Sequence, residues 1–166
     1  KQRLLALIPQ GLLFLILIPA LFYLASVSLD ASLELPGFTL TPSISATLIL
    51  LGLCFSGCSI WVQFRVGHGT PAPLIPTQKL LVEGPYAFCR NPMLLGTMLY
   101  YIGIGLWVGS VSFIGLVLIF TSLLIVYVKV IEEKELEERF GDEYRRYKKM
   151  VPFIIPFKGR VRVKRG

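Results

Sequence analysis

Three stretches of this chain contain no Asp, Glu, Lys or Arg: Leu4 to Leu29, Leu35 to Phe64 and Asn91 to Val128. A soluble domain scatters its charges, so uninterrupted runs of this length are membrane-spanning material. The hydrocarbon core is ~30 Å thick and a helix rises ~1.5 Å per residue, so about 20 residues cross it. The first run makes one crossing, roughly Leu4 to Leu29, with kinks expected at Pro9 and Pro19. The second makes another, about Ser43 to Phe64, after the turn-forming Thr41 and Pro42. The third run holds 38 residues, or ~57 Å as one helix, nearly twice the bilayer. It is expected to fold back at Gly109-Ser110 into a hairpin of about Met93 to Val108 and Val111 to Ile131. The fold class that follows is an all-α integral membrane protein with about four transmembrane helices.

Composition agrees. With 54% hydrophobic and 16% charged residues and a mean hydropathy of +0.69, disorder and a nucleic-acid module are excluded. The net charge of +7 comes from 17 Lys and Arg against 10 Asp and Glu, and its distribution is topological. With four crossings every cation falls on one side, while the opposite loops carry only Asp30 and Glu34. The positive-inside bias then puts both termini and any polar site in the cytoplasm, next to anionic headgroups. Membrane lipids are the expected partners, and nucleic acid is not. Three cysteines, two of them (Cys54 and Cys58) inside an apolar run, make no disulfide framework. The first segment is too long for a signal-peptide core and is expected to stay as a helix.

So few polar groups lie inside the membrane that an ion path is not expected. Chemistry is expected instead in the loop Arg65 to Pro92 and the tail Lys129 to Gly166. The loop is turn-rich, with Gly67-His68-Gly69-Thr70-Pro71-Ala72-Pro73, Pro76, Gly84-Pro85 and Asn91-Pro92, and its prolines either pre-order a site or simply end helices. His68, the only histidine, has no partner at metal-ligand spacing, so no metal site is expected; a polar contact or an exposed loop residue are its two readings. In the tail, counting back by fours from Tyr144 gives Phe140, Leu136 and Glu132. An amphipathic helix is expected, with Glu132 rather than Glu133 facing inward and Gly141 as a bend. Glu135 with Arg139 and Asp142 with Arg146 are expected as solvent-side pairs. In the hairpin, Gly96, Gly103 and Gly105 are spaced to clear a helix face for close packing, and Gly103-Ile104-Gly105 is not a dinucleotide fingerprint.

Two blocks carry a family resemblance. Gln78-Lys79-Leu80-Leu81-Val82-Glu83-Gly84-Pro85-Tyr86, followed by Arg90-Asn91-Pro92-Met93, resembles the cofactor loop of the isoprenylcysteine carboxyl methyltransferase family, where K-L-V-x-x-G-x-Y precedes R-H-P-x-Y. Glu132-Glu133, Phe140-Gly141-Asp142-Glu143-Tyr144, Tyr147, Val151-Pro152 and Ile155-Pro156-Phe157 resemble the E-E, F-G-x-E-Y-x-x-Y and V-P-x-x-x-P signature of that family, in the same order. The resemblance covers roughly Gln78 to Gly159. It implies an integral-membrane methyltransferase that uses S-adenosyl-L-methionine, held between loop and tail, on a lipophilic acceptor entering from the bilayer. The cofactor contacts it implies are Gln78, Lys79, Leu80, Leu81, Tyr86, Asn91, Pro92, Met93, Leu94 and Glu132, with Tyr144 and Tyr147 as pocket walls. Asn91 stands where the family has His, Leu94 where it has Tyr, and Val128 where it has an acceptor-binding Arg.

The expected organisation is a single membrane domain over 1–166. Residues 1–64 form two N-terminal helices, and 65–166 form the cofactor loop, the hairpin and the catalytic tail. Arg90 and Glu132 are the candidate catalytic residues: Glu132 for charge pairing with a sulfonium donor, Arg90 for a carboxylate or phosphate. The function expected is carboxyl O-methylation of an isoprenylcysteine-type substrate. The alternatives are N-methylation of an ethanolamine-type phospholipid and, from another class, a non-enzymatic membrane scaffold.

Overall fold

The structure, a computed structural model, describes residues 8–67 and 77–155. Lys1 and Arg3, the loop from His68 through Pro76, and the tail from Pro156 lie outside the described residues. The elements are α1 (Ile8–Ser32), α2 (Pro42–Gly67), α3 (Pro92–Val108), α4 (Val111–Tyr127) and α5 (Glu133–Met150), with a 3-10 turn at Gly84–Ala87 before α3. The π-turn Val128–Glu132 joins α4 to α5, so the helix runs on from Val111 until Gly141 breaks it. Up to that break it is ~45 Å of helix, so its far end extends beyond the bilayer. Three helices are long and apolar enough to cross a membrane. The fourth, α3, has 17 residues, or ~26 Å, and crosses as half of the hairpin.

The expected turn lies at Gly109-Ser110. Gly109 ends α3 in the left-handed conformation, with φ 72°, a region where glycine carries no Cβ penalty. Ser110 caps α4, its hydroxyl accepting from the Phe113 amide at 3.0 Å. The sequence held no sign of what holds this tip. Asp30 accepts from the Ser110 hydroxyl at 2.5 Å and from the Ser112 amide at 3.1 Å, a carboxylate placed at the positive end of a helix dipole. Asp30 therefore clamps α1 to the hairpin at the end of the molecule opposite Arg65 and Arg90.

Small residues set the helix spacing. A Cβ on Gly52 of α2 would sit 2.5 Å from the Tyr100 amide nitrogen, and one on Gly103 of α3 would sit 2.8 Å from Ile49. The backbones of α2 and α3 thus meet along a seam that admits no side chain at these points. Gly105 does the same toward α4, where a Cβ would lie 2.6 Å from Ile114. On the other flank Phe22 of α1 makes edge-on contacts with Tyr101, Phe113 and Phe120 at centroid distances of 5.9, 6.0 and 5.5 Å. Leu24, Leu50, Ile119 and Leu123 point outward, as helices dissolved in lipid require.

Near Pro19 the first helix widens into a π-turn, Leu13–Leu17. The amide of Ile18 bonds back to Leu13, leaving the Phe14 carbonyl free, and Pro19 has no N–H to offer Leu15. Both carbonyls find donors on α3. The Tyr101 hydroxyl donates to Phe14 O at 2.7 Å and that of Tyr100 to Leu15 O at 3.0 Å. The distortion is thus the local cost of a proline, met by a neighbouring helix.

The expected bend at Gly141 is present, with φ 51° and ψ −126° inside α5. A Cβ there would meet nothing within 4 Å, so the position is restricted by backbone conformation alone. Gly141→Ala is expected to lower stability by about 1–3 kcal/mol, read as a fall in the thermal midpoint of the purified protein in detergent.

Candidate active site

The two motif blocks meet at the cationic end of the bundle through backbone pairing. The Arg90 amide donates to Pro152 O at 2.9 Å, and both the amide and the side-chain Nδ2 of Asn91 donate to Phe153 O at 3.2 Å. Val151 seals the joint with Tyr144 and Tyr147, against which Leu80, Val82, Leu136 and Phe140 pack. The Tyr147 hydroxyl donates to the Tyr86 carbonyl at 2.7 Å. Prolines and aromatics of the tail are thus what hold the loop in place.

Between these elements lies a cavity of about 260 Å³. Leu80, Leu81, Tyr86, Arg90, Asn91, Pro92, Met93, Leu94, Glu132, Tyr144 and Tyr147 line it. Tyr86 and Glu132 are close enough for the carboxylate to act on the phenol: burial, chiefly, and this negative charge push the Tyr86 hydroxyl above its usual range. Gln78 and Lys79 do not line the cavity. Both are exposed, and the Gln78 amide instead donates to Gly67 O at 2.8 Å. His68 lies outside the described residues.

The acidic pair is arranged differently from expectation. Glu133, not Glu132, is the buried carboxylate, at 5% exposure. It pairs with Arg90 and, at 2.9 Å, with Lys148. The reason is helical drift. A residue advances about 100° along a helix, so counting by fours slips about 40° per step; Glu133 falls within about 20° of Phe140, while Glu132 is about 80° away. Glu132 therefore sits beside the buried stripe and opens onto the cavity, just past the apolar span. Surrounding protein raises its pKa, with like charge from Glu135 and Glu133 adding to the effect.

The expected solvent-side pairs are corrected too. Arg139 turns away from Glu135 and donates to the Thr77 carbonyl, and both Arg139 and Glu135 line the cavity. Asp142 pairs with Arg145 at 3.2 Å, while the Arg146 Nε donates to the Asp142 carbonyl at 3.3 Å rather than to its carboxylate. Arg145 also reaches Glu137 at 2.8 Å.

Several lining residues have no counterpart in either motif block. Phe14 comes from α1, Gln63 from α2, Thr97 from α3, and Leu124 and Tyr127 from α4. Gln63 Nε2 donates to the Tyr86 hydroxyl at 2.7 Å. Its Oε1 and the Arg90 Nε are buried without a partner among the described residues. One polar residue ending a long apolar helix, as Gln63 does, was the only signal in the sequence. The cavity lining thus combines polar groups, among them Glu132, Glu135, Arg139 and Gln63, with apolar ones from the long apolar helices, among them Phe14, Leu124 and Val128. The Cys89 thiol beside it is fully buried and pushed up to about 11 by that burial, which makes it unreactive.

The phospholipid methyltransferase family profile matches residues 40–143. Over 76 residues the chain is 36% identical to methanethiol S-methyltransferase 1 of Bradyrhizobium diazoefficiens, covering 44% of this chain and 25% of that protein. Over 78 residues it is 31% identical to methanethiol S-methyltransferase of Crocosphaera subtropica, covering 45% of this chain and 28% of that protein. The chain therefore spans little more than a quarter of the length of these curated relatives. The family match takes in α2, the loop, the hairpin and the start of α5, well over half of the sequence. On that match, and on the joining of its two motif blocks around one cavity, the chain belongs to the phospholipid methyltransferase family.

Proposed function

We propose that this protein transfers a methyl group from S-adenosyl-L-methionine to a lipophilic acceptor at the cytoplasmic face of a membrane. The observation that carries the reading is a single cavity lined both by charged groups from loop and tail and by apolar groups from α1 and α4. The residues present suit the donor: carboxylates in the lining could pair with a sulfonium and an ammonium, and a buried amide oxygen lacks a partner among the described residues. Bound S-adenosyl-L-methionine supplies an electrophilic methyl that any aligned nucleophile can accept in line. The contribution of the protein is alignment and exclusion of water. In this reading Glu132 holds positive charge, Leu80, Leu81, Met93 and Leu94 close the walls, and Arg90, already paired with Glu133, positions the loop. The helices of residues 1–64 supply Phe14 and Gln63, so they and residues 65–166 act as one membrane domain. Among the described residues the cations lie at the site end, which supports cytosolic termini and a cytosolic site.

The resemblance implies carboxyl O-methylation of an isoprenylcysteine-type acceptor, and that is the first acceptor class to test. A second reading, N-methylation of a phospholipid amine, draws support from one observation: Glu132 and Glu135 face the cavity while Arg90 and Arg139 are engaged elsewhere. Carboxylates there would attract an amine, which must lose a proton before it attacks. Labelled cofactor with membrane extract separates these outcomes. An alkali-labile methyl ester supports the first, a base-stable methylamine the second, and a methyl thioether from an added thiol would match the acceptor named for the relatives. Absence of saturable cofactor binding would favour a non-enzymatic scaffold.

Glu132→Gln is expected to weaken binding of S-adenosyl-L-methionine by about tenfold, as loss of one charge-assisted contact does. Because the pKa of Glu132 is raised, its carboxylate forms only above the usual carboxylate range. Affinity in the native protein should rise with pH through that point, and the Gln variant should lose the dependence. Titration calorimetry across pH 5 to 8 checks both.

A further inference from the structure

Gln63 is a neutral cavity residue whose polar side chain is both held in place and left partly unanswered among the described residues. Its Nε2 donates to the Tyr86 hydroxyl at 2.7 Å, while its Oε1 is buried without a partner. An amide has two N–H bonds, and Tyr86 uses one of them. What remains is an acceptor and a donor side by side, in a fixed plane. A buried amide oxygen without a partner is costly in a native structure and points to a group that binds there.

We infer that Gln63 reads the adenine edge of the methyl donor, its Oε1 accepting from the exocyclic amine and its free N–H donating to a ring nitrogen. This rests on the cofactor reading above. Adenine is the neutral part of that donor and presents a donor next to an acceptor, the complement of a carboxamide. The cationic parts have carboxylates elsewhere in the cavity, on Glu132 and Glu135. The Tyr86 backbone is tied down in turn by the Tyr147 hydroxyl at 2.7 Å. The α5 helix therefore fixes Tyr86, and Tyr86 fixes the amide on α2. The N-terminal part of the chain thereby acquires a binding role that neither motif block contains.

The test uses the full chain purified in detergent and two ligands, S-adenosylhomocysteine and its purine analogue lacking the exocyclic amine, with binding read by calorimetry. The native protein should bind the analogue about tenfold more weakly, the scale of one lost contact to a base edge. Gln63→Leu should bind S-adenosylhomocysteine weaker by a similar factor and hold the two ligands equally. Gln63→Met, close in length, should behave the same way and serves if the Leu variant does not fold. If either folded variant keeps the native preference, or binds S-adenosylhomocysteine with native affinity, the assignment of Gln63 is overturned while the methyltransferase reading stands. If the native protein binds neither ligand, that reading fails and this one with it.

Discussion

Glu133→Ala is expected to cost about 3–5 kcal/mol, the range found when one partner of a buried ion pair is removed. Glu133 is 5% exposed and answers two cations, Arg90 and Lys148. Lys148 is partly open and can turn to water, but the Arg90 side chain is 11% exposed and its Nε already lacks a partner. Without Glu133 the guanidinium stays in a low-dielectric corner with no counter-charge. Its loop, paired through the backbone with Pro152 and Phe153, should then separate from the tail. The thermal midpoint should fall steeply, and cofactor binding should vanish with it. Replacing both Arg90 and Glu133 by Met should cost less than Glu133→Ala alone, because two apolar groups leave no stranded charge. A Glu133→Ala protein with a native midpoint would mean that the pair does not hold loop to tail.

The second large effect is expected at the seam of α2 and α3. Gly52→Ala places a methyl 2.5 Å from the Tyr100 nitrogen and 2.6 Å from the Gly96 carbonyl oxygen, well inside van der Waals contact. Both obstacles are backbone, so no rotamer change relieves them and the two helices must part. In a bilayer, close packing is the main force joining helices, and the loss should amount to several kcal/mol, as for severe overpacking. The variant is expected to aggregate or to lose its folded peak in size-exclusion chromatography. Gly57→Ala on the same helix is the control: its Cβ would meet nothing within 4 Å, and the substitution should be neutral or slightly stabilising through helix propensity.

What the sequence disclosed followed from one-dimensional pattern. Runs without charge located the helices, excess length located the hairpin, and Gly109 and Ser110 supplied the turn because a left-handed residue and a cap are local requirements. Gly96, Gly103 and Gly105 were readable as packing glycines for the same reason. What stayed hidden depended on angle or on distance. Choosing between Glu132 and Glu133 needs the accumulated rotation along a helix, which counting by fours misstates. Arg139 had an apparent partner four residues away, yet the Thr77 carbonyl, 62 positions distant, takes its guanidinium. Asp30 looked like a loop charge and is a clamp, and Gln63, unremarked inside the second uncharged run, faces the cavity. The motif blocks named most of the lining but included Gln78 and Lys79, whose contribution here is backbone and surface.

The widened turn in α1 bears on how the protein is made. Phe14 and Leu15 present carbonyls that only hydroxyls from Tyr101 and Tyr100 answer, and those tyrosines are synthesised more than 80 residues later. When the nascent first segment leaves the ribosome and enters the translocation channel, its acceptors have no protein donor. It must wait beside the channel, or keep a water in the bend, until the later hairpin is delivered. Final docking of that segment therefore has to await delivery of α3, and a chain truncated before the tyrosines would leave those two carbonyls without these donors.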